Sequence, residues 1–145
     1  MNNFNDLASK YYAKSDPLET IEEHTSLCLY GLNQLLSIFG DALSDDEKKL
    51  MQLAVFYHDA GKVNPDFQMI IRKSAGLSFE KVEEPKNIPH GYISPAFINP
   101  HDIKKFSTKQ KKCLILSIIK HHIRTYDFDN SEVKEYIENK LGCYL

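Results

Sequence analysis

An all-α fold is what the sequence predicts: one helical bundle spanning residues 1–145, with histidines gathered between its helices. Three observations carry that expectation. Apolar residues recur at helical spacing along most of the chain. Helix-start signals precede those stretches. Strand signals are weak throughout.

Taken in order, Asp16-Pro17-Leu18-Glu19 reads as an N-cap, a Pro at the first helical position and a capping-box Glu. Behind it Ile21, Cys28, Leu32, Leu35, Leu36 and Phe39 form an apolar stripe that includes His24, and Gly40 closes the helix. Ser44-Asp45-Asp46-Glu47 is a second capping box. It opens a helix through Leu50, Leu53, Ala54 and Tyr57 that ends near Asp59 to Gly61. Asn64-Pro65 caps a short helix carrying Phe67, Ile70 and Ile71. From Lys73 to Pro89 the chain is polar and irregular, with Gly76, Pro85 and Pro89, and reads as a loop. His90 to Ile98 is a short apolar piece holding Ser94-Pro95. Phe106 or Ser107 starts a helix through Leu114, Ile115, Ile118 and Ile119 to His121 and His122. "CLILSII" within it could be a buried strand, but its length and flanking charges favour a helix. A last amphipathic segment spans Ser131 to Leu141. Neither a repeat nor a low-complexity linker nor a second domain is evident.

Composition narrows the function classes. A chain of 145 residues suffices for one core, and 42% hydrophobic with 26% charged residues is ordinary for a soluble protein. No apolar run approaches the roughly 20 residues of a membrane span, and "MNNFNDLASKYY" lacks a signal-peptide core. A cytoplasmic location follows by default. Cys28, Cys113 and Cys143 show no CxxC spacing and read as free thiols in a reducing compartment, two of them expected to be buried. The net charge of −2 hides an asymmetry. From Ile103 to Tyr126 the basic residues Lys104, Lys105, Lys109, Lys111, Lys112, Lys120 and Arg124 follow one another with no Asp or Glu between them, whereas Asp41, Asp45, Asp46 and Glu47 make an earlier acidic loop. The basic run is either a phosphate-attracting face or an ordinary solvated helix start.

Six histidines occur: His24, His58, His90, His101, His121 and His122. Each alone would most simply be a core or surface histidine. Five of them lie on apolar stripes or at helix ends, and His101 sits in the polar turn "NPHDIKKF" with no expected role. His58 and Asp59 are adjacent at a helix end in "AVFYHDAGKVNPDFQ". A carboxylate can bridge two cations while each imidazole binds one, the requirement of a two-metal phosphoester hydrolase. Mixed His/Asp ligation suits Mn, Fe, Co, Ni or Zn better than a pure oxygen site would. Lys62 reads either as a phosphate holder that stabilises developing charge or as a solvated lysine. Neighbouring positions on a straight helix cannot reach one atom, so His121 and His122 are expected to divide between two metals or a metal and a phosphate.

At these residues the chain resembles the HD superfamily of metal-dependent phosphohydrolases, and more narrowly the HD nuclease domain of the CRISPR-associated Cas3 proteins. "HDAGKVNPDFQ" from His58 to Gln68 resembles that family's central motif. "EHT" at Glu23 to Thr25, "PHGYISPAFI" at Pro89 to Ile98 and "IIKHHI" at Ile118 to Ile123 resemble its other histidine motifs in order and spacing. The resemblance implies an all-α HD domain. It implies His24, His58, Asp59, His90, His121 and His122 as ligands of one or two divalent ions (Mn, Ni, Co, Fe or Mg), with Asp59 and Lys62 catalytic. The implied activity is cleavage of single-stranded DNA, endonucleolytic with possible 3′ to 5′ exonuclease action. Lys104, Lys105, Lys109, Lys111 and Lys112 would then guide the DNA backbone. Tyr57, Phe67 or Tyr92 are candidates for base stacking. The implied partners are a Cas3 helicase, fused or separate, and the RNA-guided surveillance complex. Family members usually carry a further Asp ligand well downstream of the double His. Here Asp127 and Asp129 lie too close to that pair, and the final helix offers Glu132, Glu135 and Glu138. A missing C-terminal portion, a compact variant or a second polypeptide would account for that. Two alternatives stand beside the nuclease: an HD hydrolase of nucleotides or small phosphoesters, and a non-catalytic metal-binding module.

Overall fold

The computed structural model describes residues 4–83, 85–86, 88–122 and 130–142. Helices dominate it. In chain order they are α1 (Phe4–Ala8), α2 (Ile21–Phe39), α3 (Asp45–Tyr57), α4 (Pro65–Ser74), α5 (His90–Ile93), α6 (Pro100–Ile103), α7 (Thr108–Ile119) and α8 (Asn130–Tyr136). A π-helical turn, Ile137–Leu141, continues α8.

Two of the expected caps, Ser44 and Asn64, are found, and α7 starts from Ser107. Ser44 and Ser107 head α3 and α7 in full capping boxes with Glu47 and Gln110. The Asn64 side chain accepts from Phe67 N–H at the start of α4. The second helix differs from expectation. Asp16-Pro17 does not start it: that pair, joined by a cis peptide, turns a small antiparallel hairpin of β1 (Tyr12–Ser15) and β2 (Leu18–Thr20). The helix begins at Ile21, capped by Thr20 in a box with Glu23. Two overlapping boxes compete here, and the later one wins because Ile21 N–H then bonds Tyr11 C=O at 2.8 Å, tying the helix to the hairpin.

Three further expectations are corrected. Only part of the α2 stripe is buried: Ile21 and Leu32 are, while Leu35 and Phe39 are exposed. Helix α7 ends at Ile119, with Lys120 as C-cap, so His121 and His122 lie beyond it. Of the cysteines, Cys28 is half-buried and Cys113 exposed; Cys143 lies outside the described residues, as do Arg124, Asp127 and Asp129.

The core gathers Ile21, Leu53, Tyr57, Val63, Ile93, Phe97, Leu114 and Ile118, with Phe4 and Leu7 of α1 and Tyr136 and Leu141 from the C-terminal segment packed on it. Burial of such side chains, worth about 1.5–3 kcal/mol each, holds the helices together. Phe4 meets Phe56, Tyr57 and Phe97 at 5.4, 5.8 and 6.0 Å between ring centroids. Tyr57, a stacking candidate in the sequence, is buried here and donates its hydroxyl to Asp102 at 2.8 Å. Helices α3 and α7 lie side by side and finish together, so that the rings of His58 and His121, which follow them, stand 5.2 Å apart between centroids.

Candidate metal centre

Each functional side chain arrives on a helix end or a tight turn. α3 stops at Tyr57, and His58 and Asp59 follow in its cap and a one-turn 3₁₀ segment, Ala60–Val63. Gly61 lets that turn press against α5. A Cβ there would stand 2.3 Å from His90 C=O and 2.9 Å from Ser94 N–H. Ser94 locks the same junction: its Oγ accepts from Gly61 N–H at 2.8 Å and lies 2.7 Å from His58 C=O. Gly91 does likewise on the other side, with Ile119 C=O 3.0 Å from where its Cβ would be. The turn, α5 and the end of α7 thereby converge.

Asp59 is the hub, 1% exposed. Its Oδ2 lies 3.4 Å from His24 Nε2, 3.3 Å from His58 Nε2 and 2.8 Å from Lys62 Nζ. Its Oδ1 lies 3.0 Å from His90 Nε2 and 3.5 Å from His121 Nε2, yet has no hydrogen-bond partner among the described residues. The imidazoles are held from behind. His58 Nδ1 donates to Val55 C=O at 2.7 Å, His121 Nδ1 to Ile118 C=O, and His24 Nδ1 faces the Glu19 carboxylate at 3.2 Å. With a proton on each Nδ1, three Nε2 lone pairs point at a carboxylate. Acceptors facing acceptors at this range, one of them a buried orphan, are satisfied when a cation stands between them. The donor set therefore fits divalent metal.

The residues divide into two groups. Asp59, His90, His121 and His122 form one; His24, Cys28 and His58 form the other; within each the candidate ligand atoms lie within 4.8 Å of one another. Asp59 presents one oxygen to each. His121 and His122 reach the same group because α7 has ended before them.

Electrostatics agree. Burial alone would raise the Asp59 carboxyl, but the His121, His58 and His90 imidazoles reverse this and hold it well below the usual carboxylate range. Burial opposes a charge on His58 as well, and the Asp59 carboxylate outweighs it, raising that imidazole. His24 and His90 are lowered, chiefly by burial. His122 is lowered to about 4 by burial and then by His121 and His90, so it is neutral with a lone pair available near pH 7.

A family model of the Cas3 HD domain matches residues 21–142. The chain belongs to the Cas3 HD domain family. No curated protein and no solved structure gives a significant match. In this Cas3 HD domain, the buried His/Asp cluster is compatible with a divalent metal site, and the family is one of HD-type metal-dependent hydrolases.

All six expected ligands of the Cas3 HD motifs come together. Lys62 behaves differently from a phosphate holder. It is 7% exposed, its ammonium bonded to Asp59 Oδ2 and to Ala13 C=O at 3.1 Å, and 5.3 Å from the Phe67 ring centre. The "NPDFQ" residues are likewise structural: Gln68 accepts from Tyr12 N–H and donates to Tyr12 and Lys62 carbonyls, stitching the hairpin to the turn. His101 is exposed, as expected. Glu132, Glu135 and Glu138 are exposed, with Glu135 paired to Lys86 and Glu138 to Lys134. Lys104, Lys105, Lys109 and Lys112 are exposed and Lys111 partly so. Lys104 and Lys105 precede α7, and Lys109, Lys111 and Lys112 stand on its first turns, Lys111 about 12 Å along the helix from its end at Ile119. Lys105 is taken up by Asp46 at 2.6 Å. Sequence reasoning missed Glu19 and Cys28. The spacing of Cys28 four residues after His24 was a visible signal for one; Glu19 depends on the hairpin and had none.

Proposed function

We propose that this chain is a metal-dependent nuclease that hydrolyses phosphodiester bonds of single-stranded DNA in CRISPR interference. The observation that carries this reading is the Asp59 carboxylate shared between two groups of imidazoles. Divalent ions held there supply Lewis-acid charge and an activated water at neutral pH. His24, His58 and Asp59 Oδ2 would hold one ion, and His90, His121, His122 and Asp59 Oδ1 the other. The chain's own residues fix the geometry. Val55 and Ile118 carbonyls hold His58 and His121 in the tautomer with a free Nε2. Lys62 keeps Asp59 ionised and aimed, a positioning role. His122, the exposed member, faces incoming substrate. Lys109, Lys111 and Lys112 guide the DNA backbone toward the α7 end, with a Cas3 helicase and the surveillance complex supplying the strand.

The test is cleavage of circular single-stranded DNA by purified protein with Mn²⁺ or Ni²⁺, beside Asp59→Ala. Nicking abolished by the substitution and by EDTA is expected. A folded, metal-loaded protein that leaves DNA intact but cleaves a small phosphodiester would replace this reading with that of a small-molecule hydrolase.

A further inference from the structure

Cys28 and His24 stand one helical turn apart on the same face of α2. The Cys28 Sγ lies 3.7 Å from His24 Nε2, and both lie within 4.8 Å of the ligand nitrogen of His58. His24 cannot turn away, since its Nδ1 is engaged by Glu19, itself held by Lys14 at 3.1 Å. The thiol therefore sits beside two fixed imidazole lone pairs, on the side of the centre served by Asp59 Oδ2.

We propose that Cys28 is a metal ligand: its thiolate joins His24, His58 and Asp59 Oδ2 and makes that position selective for a thiophilic ion. The inference rests on the metal-centre reading above and deepens it. Two nitrogens, one sulfur and one carboxylate oxygen make a four-donor set suited to Zn²⁺, Co²⁺ or Fe²⁺, whereas Mg²⁺ and Mn²⁺ prefer oxygen. The other position, with three imidazoles and Asp59 Oδ1, has no sulfur. The two positions thus differ in softness, and the protein would hold two different metals or load them in order. On binding, the S–H bond breaks, its proton passes to solvent and the sulfur lone pair bonds the ion; nothing is oxidised or reduced.

The experiment uses the full chain carrying Cys113→Ser and Cys143→Ser, so that Cys28 is the remaining thiol. Titration with Co²⁺ is followed by absorbance, with bound metal counted by equilibrium dialysis. A thiolate-to-cobalt charge-transfer band in the near ultraviolet is expected, lost on adding Cys28→Ser while the circular dichroism stays helical. Cys28→Ala is expected to weaken Zn²⁺ binding at one of two sites by about 10- to 100-fold or more, beyond the loss caused by outer partners. In the protein that keeps Cys28, saturating Zn²⁺ should protect the thiol from iodoacetamide and Mg²⁺ should not. Bound Co²⁺ without the band, or Zn²⁺ without protection, overturns the role of Cys28 and leaves the metal centre standing. Absence of any bound Co²⁺ or Zn²⁺ overturns both.

Discussion

At the residue scale, the centre depends on groups that could easily be taken for packing. Ser94 is fully buried and joins the HD turn to α5. Ser94→Ala strands the buried Gly61 N–H and is predicted to destabilise the fold by about 1–3 kcal/mol in denaturant titration, with metal affinity falling alongside. Gly61→Ala places a methyl 2.3 Å from His90 C=O, a clash with backbone that only movement of α5 can relieve. Loss of metal binding is expected before loss of helix content, read by dialysis and circular dichroism on one sample. Protonation offers a further check on metal-free protein. His24, His90 and His122 are lowered in the fold, so the unfolded chain binds more protons as pH falls through the ordinary histidine value of about 6.5. Their contribution is present above that pH and fades below it. Asp59, also lowered, contributes above the ordinary carboxyl value and loses this only in strong acid. His58 is raised and acts in reverse, contributing below about 6.5 and fading as pH rises through its folded value. Three imidazoles outnumber one, so thermal midpoints of EDTA-treated protein should fall between about pH 7 and about pH 5. A midpoint that rises over that interval would show His58 dominating.

At the scale of elements, the hairpin is the part least legible in the sequence. Its strands have four and three residues, too short for alternation to register, and Asp16-Pro17 imitates a helix start. What fixes it is long-range: Gln68 reaches back to Tyr12 through two hydrogen bonds. Gln68→Leu keeps the volume and removes those bonds together with the one to Lys62 C=O. A cost of about 1–3 kcal/mol is predicted, measurable in urea. The helix that a capping box announces, α3, was readable because cap and period agree within one segment; α7 was readable from its period, though its end was not. That His24, His58, Asp59, His90, His121 and His122 would gather was also readable, through the order and spacing of the histidine motifs. Lys62 was not: whether a lysine turns outward or inward depends on Asp59 and the Ala13 carbonyl, which the chain brings together only in three dimensions.

For the molecule as a whole, charge is sorted along its length. The acidic start of α3 meets Lys105, leaving Lys109, Lys111 and Lys112 as the part of the basic run on the first turns of α7. Reversing these three to Glu is predicted to raise KM for DNA and flatten its salt dependence, with kcat little changed, as expected for backbone guidance without chemistry. A fall in kcat alone would place them elsewhere in the mechanism. The shared finishing point of α3 and α7 carries one further consequence. Each helix ends with its backbone carbonyl dipoles summed into a negative pole; neither last turn holds a basic residue, and the lysine that caps α7, Lys120, offsets only the pole of that helix. Two such poles, each worth about 0.3–1 kcal/mol to a nearby positive charge, meet where the imidazoles gather. The bundle therefore carries a standing field that draws cations to that end before any ligand closes on one, and placing an arginine at the exposed Ser117 in the last turn of α7 would oppose capture of the ion rather than its retention.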